Sequence, residues 1–247
     1  MDDISIDLLR DQNINGTTLI EGLPGIGQVG KLVAEHMIHE MDAEKIAEIH
    51  SIYFPPQVLI EKDGVARLVN NEIYRCDGER ELLFLVGDYQ STSSEGHYLL
   101  SSFYLDIAEE LGVRRVITLG GYGVGHLVDK PRVLAAVNQS HLHAEVAQAG
   151  AVFTQDEPGG GIIGASGLLL GMGALRGIDG ICLMGETSGY LVDPKSAHSL
   201  LEVLCAILET EVDTTRLLER AEEMEHLVEK LRTTEQAKSD EELNYIG

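Results

Sequence analysis

The 247-residue chain is long enough for one sizeable core, or for one α/β domain with a short appendage, and 44% hydrophobic with 24% charged residues excludes wholesale disorder. Forty-one acidic side chains against eighteen basic ones give a formal net charge of −23, a field that repels nucleic acid and anionic membrane surfaces. The start, Met1-Asp2-Asp3-Ile4, lacks a signal-peptide pattern, no apolar run reaches the ~18 residues of a spanning helix, and Cys76, Cys182 and Cys205 form no paired motif. The expectation is a cytoplasmic chain with free thiols, without nucleic-acid or membrane partners.

In chain order, residues 17–21 read as a short strand and lead through a glycine-rich turn into a helix from Gln28 to Met41. Val29, Leu32, Val33, Met37 and Ile38 recur there near helical spacing. Lys45 to Phe54 reads as a strand stopped by Pro55-Pro56, and the segments around Asp63-Gly64 as an antiparallel hairpin. Leu82 to Val86 is a buried-strand run, Glu95 to Leu111 an amphipathic helix closed by Gly112, and Val116 to Leu119 the next buried strand. A short strand at Arg132 to Val137 precedes a helix near Ser140 to Ala149. The glycine-rich segment Gly159 to Gly177 is expected to hold a tightly packed, buried helix over Ser166 to Leu175, with Gly167, Gly171 and Gly173 admitting close backbone approach. Ile178 to Met184 is the last strong strand, and a helix follows over Ser196 to Glu209.

From Thr214 to Arg232 the sequence is helical and highly charged. Leu217, Ala221, Met224, Val228 and Leu231 keep one apolar seam, too short for an isolated coiled coil, so it packs either on its own domain or on a neighbouring subunit. The expected division is an α/β domain over residues 1–212 and a C-terminal helix and tail over 213–247.

Strands separated by helices predict a three-layer α/β fold, a mostly parallel central sheet flanked by helices. The loops leaving the strands' C-terminal ends then gather on one rim: Gly22 to Gly27, Gly87 to Ser94, Gly120 to Gly125 and Gly185 to Tyr190.

Gly25-Ile26-Gly27-Gln28-Val29-Gly30 matches the dinucleotide-binding spacing between a strand and a helix. Pro24 stiffens the turn, however, and the acid that should close the second strand is replaced by Tyr53-Phe54-Pro55. Close packing of the helix on the sheet accounts for the glycines, and no cofactor is expected. His36 and His39, three apart on a helix, have no third ligand at metal spacing, so no metal is expected either. Gly164-Ala165-Ser166-Gly167-Leu168 lacks the last glycine of a nucleophile elbow. Ser188 has Asp88, His97 and His126 as conceivable partners, and the competing reading makes Asp88, Thr187 and Ser188 caps of helices and turns.

Four segments taken together, Glu21-Gly22-Leu23-Pro24-Gly25-Ile26-Gly27-Gln28-Val29-Gly30, Gly87-Asp88-Tyr89-Gln90, Gly120-Gly121-Tyr122-Gly123 and Gly185-Glu186-Thr187-Ser188-Gly189-Tyr190, resemble the archaeal branch of the proteasome assembly chaperone family from about residue 15 onward. The resemblance implies a phosphorylase/hydrolase-like fold without established catalysis, in a protein that binds proteasome α-subunits or assembly intermediates. It also implies a docking tail ending in hydrophobic–Tyr–any. Here Tyr245 is third from the end, one residue out of register, so the candidate tail is Leu243, Tyr245, Ile246 and Gly247. Some relatives carry an ATP-grasp enzyme label, but the sequence shows neither a nucleotide-binding lysine nor a Mg²⁺-carboxylate pattern.

The leading expectation is a homo-oligomeric, chaperone-like binding protein. The alternative is a small-molecule enzyme of phosphorylase, hydrolase or ligase type, with a rim pocket drawn from Gly25, Gly27, Asp88, Tyr122, Glu186 and Tyr190.

Overall fold

Leu82 to Val86 shows how this chain makes its core. Leu82, Phe84 and Val86 enter one apolar layer and Leu83 and Leu85 the other, so the strand is buried on both faces and reads as an unbroken apolar run. Each such side chain, once buried, contributes about 1.5–3 kcal/mol. The computed structural model describes residues 3–8, 18–78, 81–154, 161–224 and 226.

The strands are β1 (Ile4–Leu8), β2 (Thr18–Glu21), β3 (Glu44–Ser51), β4 (Val58–Ile60), β5 (Ala66–Leu68), β6 (Asn71–Cys76), β7 (Leu82–Gly87), β8 (Arg115–Gly123), β9 (Val133–Val137) and β10 (Asp179–Thr187). The helices are α1 (Val29–Glu40), α2 (Ser94–Glu110), α3 (His143–Gln148), α4 (Gly164–Leu175) and α5 (Pro194–Leu208). Eight strands form one sheet in the order β1-β3-β6-β7-β2-β8-β10-β9, and β4 and β5 pair separately. The four central strands β7, β2, β8 and β10 are parallel, whereas β1, β3 and β6 on one flank and β9 on the other join antiparallel. The three-layer α/β expectation holds, with the parallel part confined to the centre. α1 and α5 pack together over the layer containing Phe84, Ile117 and Ile181, and α2 and α4 over that containing Leu19, Leu83 and Val116.

Local signals set the ends of these elements. Ser93 caps α2 by accepting the Gly96 N–H at 3.1 Å, and Gly112, at φ +72°, ends it as expected. Asp193 caps α5 through the Ser196 N–H at 2.9 Å. At the Asp63-Gly64 turn, Gly64 has φ +85° and Asp63 accepts the Val65 N–H, which bears out the hairpin.

Several expectations need correction. The strand predicted over Lys45 to Phe54 stops at Ser51, because the Ser51 hydroxyl accepts the Tyr53 N–H and turns the chain. The helix predicted over Ser140 to Ala149 is a 3-10 turn, Ser140–Leu142, running into the short α3. β1, which the sequence reading did not foresee, pairs antiparallel with β3. α4 is not a buried helix: only Ala165, Leu169 and Gly173 are buried, and Leu175 is 88% exposed. Gly171 faces open space, and the close approach at Gly167 is to the Ile162 carbonyl just before the helix.

Residues 215–224 form a helix that docks on α1: His36 Nε2 donates to the Asp213 carbonyl at 2.6 Å, and Arg216 donates to the His39 ring. Leu217 and Ala221 are buried, Leu217 in the main core layer, so the first half of the proposed oligomer seam is consumed within its own chain. Met224 is half-buried, and Val228 and Leu231 lie outside the described residues.

Candidate functional site

The four parallel strands end on one edge, which brings the predicted rim together. The glycine motif there is filled by neighbouring backbone. A Cβ on Gly30 would lie 2.2 Å from the Leu119 carbonyl oxygen of β8, and one on Gly22 would lie 2.3 Å from the Ala34 Cβ of α1. Gly27, at φ +63°, abuts the Thr187 hydroxyl, and its carbonyl accepts the Asp193 N–H at 2.9 Å. A Cβ on Gly121 would meet the Ile26 carbonyl at 2.2 Å. Close seating of α1 and its turn on β8 and β10 therefore accounts for Gly22, Gly27 and Gly30. Gly25 is different, since a Cβ there would come no closer than 4.0 Å to its nearest neighbour.

At the centre of the rim, Glu21 closes β2 and is fully buried. Its Oε1 accepts the Leu23 N–H at 3.0 Å and its Oε2 the Ser166 hydroxyl at 2.8 Å. Burial lifts this carboxyl to about 7, against the opposing pull of those two donors. Gln90 bridges the same crevice, donating to the Pro24 carbonyl at 2.8 Å and accepting the Ala165 N–H at 3.0 Å. Glu21 and Gln90 stand inside the motif segments, yet sequence reasoning gave them no role; the available signal was a single acid ending an apolar strand just before glycine.

On one side of the centre, Glu186 and Tyr122 are register partners on β10 and β8. They line an open cleft of about 450 Å³ with His126 and Arg132. The Glu186 carboxylate accepts the Arg132 backbone N–H at 3.0 Å and Arg132 Nε at 2.9 Å, with a further contact to the guanidinium Nη2. Those hydrogen bonds hold the nearly buried carboxyl below the ordinary range. Tyr190 is 79% exposed at the lip, beside Gly125.

On the other side, Asp88 follows β7. Arg67 from β5 grips it with two hydrogen bonds of 2.6 and 3.0 Å, and the Asn70 N–H adds a third at 3.1 Å. Burial works to raise the Asp88 carboxyl, but the Arg67 hydrogen bonds and charge outweigh it and hold it low. The structure thus brings Tyr122 and Glu186 into one cleft and assigns Asp88 to the clasp that holds the β4–β5 hairpin. Neither carboxylate has the raised affinity for a proton that general acid catalysis at neutral pH uses. Ser188 is buried and accepts the Tyr190 N–H at 3.4 Å, while His126 bonds the Val124 carbonyl of its own loop. Thr187 donates to Asp193 at 2.7 Å, in keeping with the capping reading of this loop. Among the described residues no three His, Cys, Asp or Glu side chains could hold one metal ion, and no helix is long and apolar enough to cross a membrane.

The chain as a whole matches proteins already known. The model of the PAC2 family matches residues 19–232. The chain belongs to the PAC2 family. An uncharacterised protein of Methanocaldococcus jannaschii is 41% identical over 243 residues, covering 95% of this chain and 93% of that one. The crystal structure of Pyrococcus furiosus PbaB, an archaeal proteasome activator, superposes with a TM-score of 0.89 at 42% identity, covering 94% of this chain and 100% of that chain. Pyrococcus furiosus PbaA, an archaeal homolog of proteasome-assembly chaperone, superposes with a TM-score of 0.78 at 26% identity, covering 97% of each. The resemblance carried by the four rim segments is borne out over nearly the whole PAC2 chain.

Proposed function

We propose that this PAC2 protein is a chaperone-like binding protein that assists proteasome assembly by contacting α-subunits or their assembly intermediates, as a homo-oligomer in the cytoplasm. The observation that carries the reading is the end-to-end likeness to PbaB at 42% identity, seconded by the likeness to PbaA. The rim supports it from the other direction. Asp88 and Glu186 are taken up by Arg67 and Arg132, and the glycine turn is filled by β8 and β10, so the polar groups hold the fold's loops in place.

Leu243, Tyr245, Ile246 and Gly247 lie outside the described residues and remain the candidate docking tail, with the apolar seam residues Val228 and Leu231 before them. The cleft of Tyr122, His126, Arg132 and Glu186 is the feature that favours the second reading, a small-molecule enzyme or ligand-binding regulator.

The test is a pull-down with native mass analysis against proteasome α-subunits from the same cell, comparing the full chain with one ending at Glu242. Saturable binding lost on truncation establishes the role and puts Tyr245 in the contact, and binding that survives truncation moves the interface to the folded domain. No binding to α-subunits or their intermediates overturns the proposal. Following α-subunit complex formation and the peptidase activity of finished proteasomes separates help with assembly from activation.

A further inference from the structure

The β4–β5 hairpin stands apart from the main sheet, and its two faces differ. Its register pairs Val58 with Leu68, Leu59 with Arg67 and Ile60 with Ala66. Strand alternation puts Leu59 and Arg67 on the inner face, where Leu59 packs on the α2 core layer and Arg67 clasps Asp88. The outer face carries Val58, Ile60, Ala66 and Leu68, with Val58 and Leu68 51% exposed and Ile60 66% exposed. Ile52, 56% exposed, joins Val58 and Leu68 in lining a groove of about 600 Å³, together with Phe54, Pro55 and Pro56. A two-stranded ribbon is marginal alone in water, and here its aliphatic rungs face outward while an ion pair ties its other side down.

We infer that this hairpin face is the surface through which two copies of the chain associate, the rungs of one copy lying across those of its partner around a twofold axis. Area is the first argument. With Val65 at the tip, the patch presents roughly 500 Å² of apolar surface, at the upper end of what a monomer leaves uncovered. Matched against itself it buries about 1,000 Å², the lower bound of a specific interface, before the groove is counted. Charge is the second. The molecule carries −23, but residues 57–70 hold Glu61 and Asp63 against Lys62 and Arg67 and sum to zero. Two strongly acidic copies repel least where each is neutral, and the outer rungs carry no charge at all. A basic partner drawn by the acidic surface finds no acid on those rungs. Competition points the same way, since Leu217 and Ala221 of the other apolar seam are already buried in their own chain.

Contact of this kind strengthens with salt, because ions screen the repulsion between the two acidic bodies while leaving the aliphatic contact in place. A charge-steered complex responds in the opposite direction.

The inference deepens the self-association part of the proposed function and rests on that part alone. Sedimentation velocity of the full chain over a concentration series, at low and high salt, reads it directly. The wild type is expected to run as a dimer or a larger assembly, more so at high salt. The double variant Ile60→Glu with Leu68→Glu is expected to weaken the association at least tenfold, with an unchanged circular dichroism spectrum. Leu175→Glu, on the exposed end of α4, serves as the control and leaves the association as it is. Ile60→Cys, under mild oxidation, gives a disulfide-linked dimer if the two rungs face each other, and needs no disruptive change.

A wild type that is monomeric at every concentration overturns self-association itself. A folded double variant with wild-type mass, together with Ile60→Cys that fails to cross-link, overturns the surface while leaving an oligomer. A double variant that keeps its mass but loses α-subunits assigns the hairpin to the client and overturns the second-copy inference as well. Proteasome binding by a monomeric variant leaves the proposed function standing.

Discussion

The rim and the hairpin sit at opposite ends of one ion pair, Asp88 with Arg67, and they use their side chains in opposite ways. At the rim, chemically capable groups turn inward: Glu21 to Ser166 and Leu23, Glu186 to Arg132, and glycines to the backbone of β8. On the hairpin the apolar groups turn outward, with Ile60 two-thirds exposed. In this chain a dinucleotide-like glycine spacing therefore need not mark where the protein acts, since close packing of α1 on β8 demands the same glycines. The contrast also sorts substitutions: changes at the rim strike the fold, and changes on the hairpin strike association.

The largest effect is expected from Gly30→Val. Its Cβ has the Leu119 carbonyl oxygen 2.2 Å away, so α1 must lift from β8, at a cost of about 3 kcal/mol in urea unfolding. Arg132→Ala comes next. It leaves the nearly buried Glu186 carboxylate with its backbone donor alone and lowers stability by about 2 kcal/mol near neutral pH. That loss shrinks as pH falls, because a carboxylate held low contributes stability that disappears when it is protonated. A loss independent of pH would remove the ion pair from the account.

Glu21 carries the opposite sign. Its carboxyl holds a proton up to about 7 when folded and releases it near 4.5 when unfolded. Between those values the folded state binds more protons, so stability falls as pH rises through the window. Glu21→Gln removes this dependence, and relative to wild type it gains about 2 kcal/mol from the acid end of the window to the other. Unfolding midpoints measured across that range check it, and parallel curves for the two proteins would contradict it.

Smaller changes sharpen the same contrast. Gly171→Ala, on a helical position with nothing within 4 Å, is expected to raise stability by about 0.5–1 kcal/mol, the reverse of Gly30. Ile60→Glu is expected to move the stability of the separated chain by less than about 0.5 kcal/mol while lowering its mass in solution.

Much of the fold was legible because single elements announce themselves. The doubly buried run Leu82 to Val86, Gly112 behind α2 and the Asp63-Gly64 turn each act through neighbours close in sequence. The rim loops were legible for the same reason, since parallel strands must end together. Interactions that depend on register across the sheet were not. Arg132 meets Glu186 from 54 residues away, and Ser166 meets Glu21 from 145. The exposure of α4 also escaped: the glycine-rich run Ser166 to Leu175 read as a tightly packed, buried helix, but it packs on α2, β8 and β10 by one face and leaves Leu175 in solvent. The site was therefore readable as a place and much less as a set of bonds.

The most direct measurement is a native mass titration of the full chain with proteasome α-subunits, run beside Glu186→Gln. A saturable complex of fixed stoichiometry, retained by the cleft variant, is the expected result, because Glu186 is taken up by Arg132. Absence of any complex, or a small-molecule turnover that Glu186→Gln abolishes, would contradict it and make the rim the working part of the protein.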